Sequence, residues 1–176
     1  NASTVTAGVP GPGQIARVTI GDFLRRCAAR DRPKTAFVLG DERLSYGDFN
    51  DQVTRCANAL LSSGLRSGDR VATLCGNSLQ FLIAMFGIHR AGLVWVPINI
   101  GLVGDDVRFI LEHSESRFVL VDAALIARPE LARLLAATPG RGWVLEGAGQ
   151  AGFGAFAQAI SQQPVVEQEV EIHDRD

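Results

Sequence analysis

The sequence predicts an α/β fold: a layered, mostly parallel sheet with helices on both faces, plus a small amino-terminal β-hairpin and helices. Three observations carry this. From residue 19 onward, apolar runs of strand length alternate with stretches of helical periodicity. The later strands are almost wholly apolar, as expected when both sheet faces are covered. One connecting helix, holding Phe81, Leu82, Ile83, Met85, Phe86 and Ile88, is apolar nearly all round and has to be sandwiched.

The first helix is "TIGDFLRRCAARD", where Ile20, Phe23, Leu24, Cys27 and Ala28 repeat on one face and Pro33 follows the end. "AFVLGDERLS" reads as a hairpin, because Gly40-Asp41 suits a two-residue turn with glycine first. Ser45 then caps a long helix whose buried stripe is Phe49, Val53, Cys56, Ala57 and Leu60, with Gly64 as its left-handed stop. "GDRVATLC" is a turn and a strand, and Asn77 or Ser78 caps the sandwiched helix. That helix is the crossover of a β-α-β unit whose second strand is Val94-Trp95-Val96. Pro97, lacking an amide, is expected to end the ladder and send the chain out at the strand's carboxyl end, where open α/β sheets bind ligands.

Asp105 and Asp106 open the next helix, whose inner face is Val107, Ile110 and Leu111. "RFVLVD" is a third parallel strand, "PELARLLAAT" a helix, "GWVLEG" a fourth strand and "FGAFAQAIS" a last short helix. The expected organisation is a flexible leader over 1–17, a folded unit over 18–164 and a polar, acidic linker over 165–176.

With 176 residues, 47% of them hydrophobic, the chain can bury one sizeable core. A formal charge of −2 with mixed signs provides no polybasic groove, so nucleic acid is not a predicted partner. The densest apolar run is far too short to span a membrane. Cys27, Cys56 and Cys75 are scattered and odd in number, which speaks against a disulfide framework or a zinc site and for a reducing, cytoplasmic setting. His89, His113 and His173 form no triad or metal spacing.

No phosphate-binding fingerprint stands between a strand and a helix. "GAGQAGFG" lacks the required spacing and reads as a loop, and Asp105-Asp106 or Glu167 with Glu169 read as solvated or helix-start charges. Residue types alone therefore predict a ligand-type sheet rim without catalytic or metal-binding residues.

A resemblance extends this. "RLSYGDFNDQVTRCANALLSSGLRSGDRVATLCGNSLQFLIAMFGIHRAGLVWVPIN" and, at the proper distance, "VRFILEHSESRFVLVD" resemble the front of the adenylate-forming acyl-CoA synthetase superfamily. The specific pieces are Leu44-Ser45-Tyr46, Gly68-Asp69-Arg70-Val71 and Ala91-Gly92 with Pro97, and the match is close over about 36–122. The resemblance implies part of a synthetase amino-terminal domain, from a ligase that uses ATP and magnesium to activate a fatty or related acid and then passes the acyl group to coenzyme A.

By the same resemblance, the phosphate loop, the metal-binding Glu, the ribose-binding Asp and the lysine-bearing mobile domain would fall downstream of Asp176. The residues present are thus expected to be inactive alone and to bind no cofactor tightly. Loosely similar acetyl-CoA synthetases suggest Asn99, Gly101 and Arg128 as positions on the coenzyme side. Two other readings stay open: an adenylation domain of a nonribosomal peptide synthetase, and a non-catalytic binding or assembly module. For the latter, exposed edge strands would promote self-association.

Overall fold

The protein is described by a computed structural model covering residues 20–102, 104–137, 141–168 and 170. The predicted leader and the acidic end beyond 170 lie outside the described residues. Helix α1 (Ile20–Arg30) buries Leu24 and Ala28 and half-buries Cys27, while Ile20 and Phe23 stand exposed. The predicted five-residue stripe is therefore corrected to three. Helical spacing defines a face but not how much of that face meets a neighbour.

The hairpin forms as read: β1 (Thr35–Leu39) and β2 (Glu42–Ser45) pair antiparallel across Gly40, whose φ of +58° is the glycine-favouring region such a turn requires. Ser45 caps α2 (Tyr46–Ser62): its hydroxyl oxygen accepts the Asp48 N–H at 3.1 Å and lies 2.7 Å from the Asp48 carboxylate, to which it donates. Only half of the expected capping box forms: the Asp48 carboxylate accepts from the Ser45 hydroxyl rather than from the Ser45 backbone N–H.

The remaining strands are β3 (Arg70–Leu74), β4 (Val94–Pro97), β5 (Phe118–Val121), β6 (Arg141–Val144) and β7 (Gly154–Ala155). They build one parallel sheet in the order β4-β3-β5-β6-β7. Helix α3 (Leu79–Arg90) is the predicted crossover from β3 to β4, and Ser78 is its cap, accepting from the Phe81 N–H at 3.1 Å. Further along come α4 (Gly104–His113), α5 (Ala123–Ile126), α6 (Pro129–Ala137) and α7 (Phe156–Ser161). The four-residue α5 and two-residue β7 were not foreseen, being too short to show a period.

Helices cover both faces, as expected. Val71, Phe118, Leu120 and Trp143 point to one side and join residues of α2, α3 and α7 in one core. Ala72, Leu74, Val119 and Val121 point to the other and join residues of α4, α5 and α6 in a second. The strict in-out alternation along β3 and β5 follows from the two-residue period of a strand.

β4 ends at Pro97, as predicted, but not because the proline deprives the ladder of a donor. The N–H groups of Val94 and Ile98 donate to the carbonyls of Asp69, just before β3, and of Thr73 within it, each at 2.9 Å, so pairing continues one residue past the proline. Successive strand amides alternate in direction, which turns Trp95 and Pro97 toward the outer edge of β4. The missing donor of Pro97 thus belongs to the edge rather than to the ladder.

Candidate functional site

The loop after β3 runs to one face of the sheet, into α3, and the loop after β5 runs to the other, into α5. Where neighbouring parallel strands send their connections to opposite faces, a crevice opens at their carboxyl ends, the usual ligand position in such sheets. Here it lies between Gly76 and Asp122. One Asp122 carboxylate oxygen accepts the Gly76 N–H at 2.7 Å and ties the two loops together. Cys75 sits beside them, its thiol donating to the Leu120 carbonyl at 3.3 Å. Sequence reading took Cys75 only as one of three scattered thiols and passed over Gly76 and Asp122, although an Asp directly after an apolar strand was a usable signal.

The three residues singled out on the coenzyme side fall on the same rim. Asn99 spends its side-chain oxygen within its own loop, accepting the Gly101 N–H at 2.9 Å, as Asn does in turns. A Cβ on Gly101 would stand 3.3 Å from that oxygen, a mild crowding. Arg128, placed on the rim by α5, is exposed and makes no ion pair among the described residues. With Ile100, Leu102 and Leu125 it lines a cleft of about 40 Å³. Arg128 and the loop around residue 101 are thus brought together, the backbone N–H of Gly101, one of the two backbone positions expected to face the coenzyme, is spent on the Asn99 side chain, and the cleft has room for little more than a water molecule.

A larger cleft, about 640 Å³, opens at the opposite, amino-terminal rim between Leu65, Leu111, Ser116 and Arg141. Its Arg117 is committed to Asp69, with both carboxylate oxygens within 2.9 Å, and its Glu115 to Arg70 at 3.1 Å. Among the described residues, no three of His, Cys, Asp or Glu converge as a metal site would require.

Two thiols are held protonated. Burial pushes Cys56 well above the ordinary thiol value, and burial followed by the Asp122 charge does the same to Cys75. In the unfolded chain both would ionise near pH 8.5. A group whose folded pKa is raised contributes stability below its unfolded pKa and loses it as pH climbs, by about 1.4 kcal/mol per pH unit for each thiol. The urea midpoint is expected to fall steeply above about pH 9. Cys56→Ala should flatten that fall, and equal slopes in the two proteins would refute the assignment.

A family model described as AMP-binding enzyme matches residues 24–174. The chain belongs to the AMP-binding enzyme family. The similarity to relatives within this AMP-binding family points to CoA ligases. 4-Hydroxybutyrate–CoA ligase 2 of Metallosphaera sedula is 39% identical over 100 residues, covering 57% of this chain and 18% of that protein. Long-chain-fatty-acid–CoA ligase FadD13 of Mycobacterium tuberculosis is 37% identical over 123 residues, covering 69% of this chain and 24% of that one.

Among solved structures, the N-terminal domain of FACL13 from Mycobacterium tuberculosis superposes with a TM-score of 0.76 at 31% identity, over 90% of this chain and 40% of that domain. This AMP-binding enzyme chain therefore spans less than a quarter of the two curated relatives and has the architecture of part of a CoA-ligase N-terminal domain.

Proposed function

We propose that the chain is part of an ATP-dependent acid–thiol ligase that joins a carboxylic acid, a fatty acid in this reading, to coenzyme A through an acyl-adenylate. The observation that carries this reading is the family match over 24–174, resting on a parallel sheet whose β3–β5 crevice lies on the rim where such folds take ligands. The similarity to CoA ligases favours this over a peptide-synthetase adenylation domain.

The described residues do not fit a nucleotide and its magnesium. The rim cleft is about 40 Å³, Asp122 is spent on Gly76, and among the described residues no acidic trio converges. No step through ATP or the metal is assigned to these residues, and the chain on its own is proposed to be catalytically silent.

Coenzyme A fits better in one respect. Arg128 is an exposed guanidinium whose paired N–H donors match a phosphate, and the 99–101 loop lies beside it as the neighbouring contact. Calorimetry with coenzyme A is expected to show weak binding that falls severalfold in Arg128→Gln and for dephospho-coenzyme A. The coenzyme assignment fails if Arg128→Gln binds like the parent chain. The silent-chain assignment fails if the purified chain releases pyrophosphate from ATP in the presence of a fatty acid.

A further inference from the structure

After α7 the chain crosses back over α2, where side chains more than a hundred residues earlier bond its backbone. Asn58 on α2 is 1% exposed. It spends both amide hydrogens on the returning backbone, donating to the Pro164 carbonyl at 3.1 Å and the Val166 carbonyl at 2.8 Å. Arg55, one turn earlier, donates to the Gln163 carbonyl. Burying a donor pair without acceptors is costly, so this seat on α2 is built for an extended segment.

The segment then presents a charge. One Glu167 carboxylate oxygen is 2.8 Å from an Arg25 nitrogen on α1 and 3.7 Å from the Arg90 Nε at the end of α3. The Arg90 side chain is only 1% exposed. Its other nitrogens donate to uncharged partners on α2: the Asn50 carbonyl at 3.1 Å, the Asn50 side-chain oxygen at 3.0 Å and the Thr54 hydroxyl at 2.7 Å. Glu167 and then Asp22, which is ion-paired to Arg25 at 2.7 Å, supply the negative charge near this guanidinium. A buried guanidinium is stable only when such charge stays in place.

We propose that residues 163–167 form a latch that fastens α1 to the α2–α3 pair through the Glu167 carboxylate, so that α1 and the latch open together as one unit while the sheet stays closed. Helix α1 contributes only Leu24 and Ala28 as fully buried apolar side chains. Its attachment therefore leans on this polar bridge more than the attachment of α2 or α3 does, and elements held by few buried contacts are the ones that open locally.

Amide hydrogen exchange on the intact chain tests this. Glu167→Gln keeps the shape and removes the charge; it is expected to raise exchange about fivefold in both α1 and residues 163–168, leaving β3 and β5 unchanged. Adding Arg25→Gln should raise it little further, because both changes break one bridge. In the unaltered chain, salt should move α1 exchange the same way, the Arg25–Glu167 pair being partly exposed. Unchanged α1 exchange in Glu167→Gln, a uniform rise that includes β5, or multiplicative effects of the two substitutions would each overturn the latch.

Discussion

Gly142→Ala is expected to cost ~3 kcal/mol or more, enough to leave much of the chain unfolded under mild conditions. Gly142 is buried in β6, between β5 and the short β7. A Cβ built there overlaps the Phe153 ring and the Val119 carbonyl oxygen. The ring could swing aside only by vacating the second core, and the carbonyl belongs to a central strand that cannot retreat without breaking its own pairing. The added methyl therefore meets both a packed ring and a backbone carbonyl, neither of them a flexible side-chain end. Gly104→Ala is the matched control: at the start of α4 a Cβ meets nothing within 4 Å, and the change should be neutral or slightly stabilising. Urea midpoints followed by circular dichroism read both. A Gly142→Ala midpoint equal to that of the parent would show that β6 and β5 are not in the contact described.

Phe49→Ala is expected to remove about 4 kcal/mol. Phe49 is 1% exposed on α2 and holds an edge-to-face contact with Phe37 of the hairpin on one side and Phe86 of α3 on the other, at centroid separations of 4.9 and 5.0 Å. It is the ring through which the hairpin joins the main core. Its loss leaves a cavity between three elements that cannot all collapse into it, so the hairpin amides should lose protection before those of β5. A midpoint shift worth less than about 1 kcal/mol would contradict the packing. So would a hairpin that exchanges no faster than before.

Much of this architecture was readable in advance because its signals are local. Gly40-Asp41 announces the hairpin, Ser45 with Asp48 announces α2, and the apolar crossover between two strand-length runs announces the β3–α3–β4 unit. These depend on residues within a few positions of one another. The features that were missed depend on residues brought together from afar. Nothing in the residues around Arg90 says that Asn50 and Thr54 will wrap it out of solvent. The run "QQPVVEQ" reads as linker because the groups that seat it, Arg55 and Asn58, lie over a hundred positions earlier. At the rim, the Asn99 bond to Gly101 is local and could have been expected. The Gly76–Asp122 tie across the crevice required knowing that β3 and β5 are neighbours.

The proline at the end of β4 bears on how copies of this chain can meet. A foreign strand laid along that margin would look for a ladder of amide hydrogens, and of the two outward positions only Trp95 has one to offer. Lateral growth of the sheet from this side therefore has one donor fewer to bond to, so a contact between copies here would lean more on side chains.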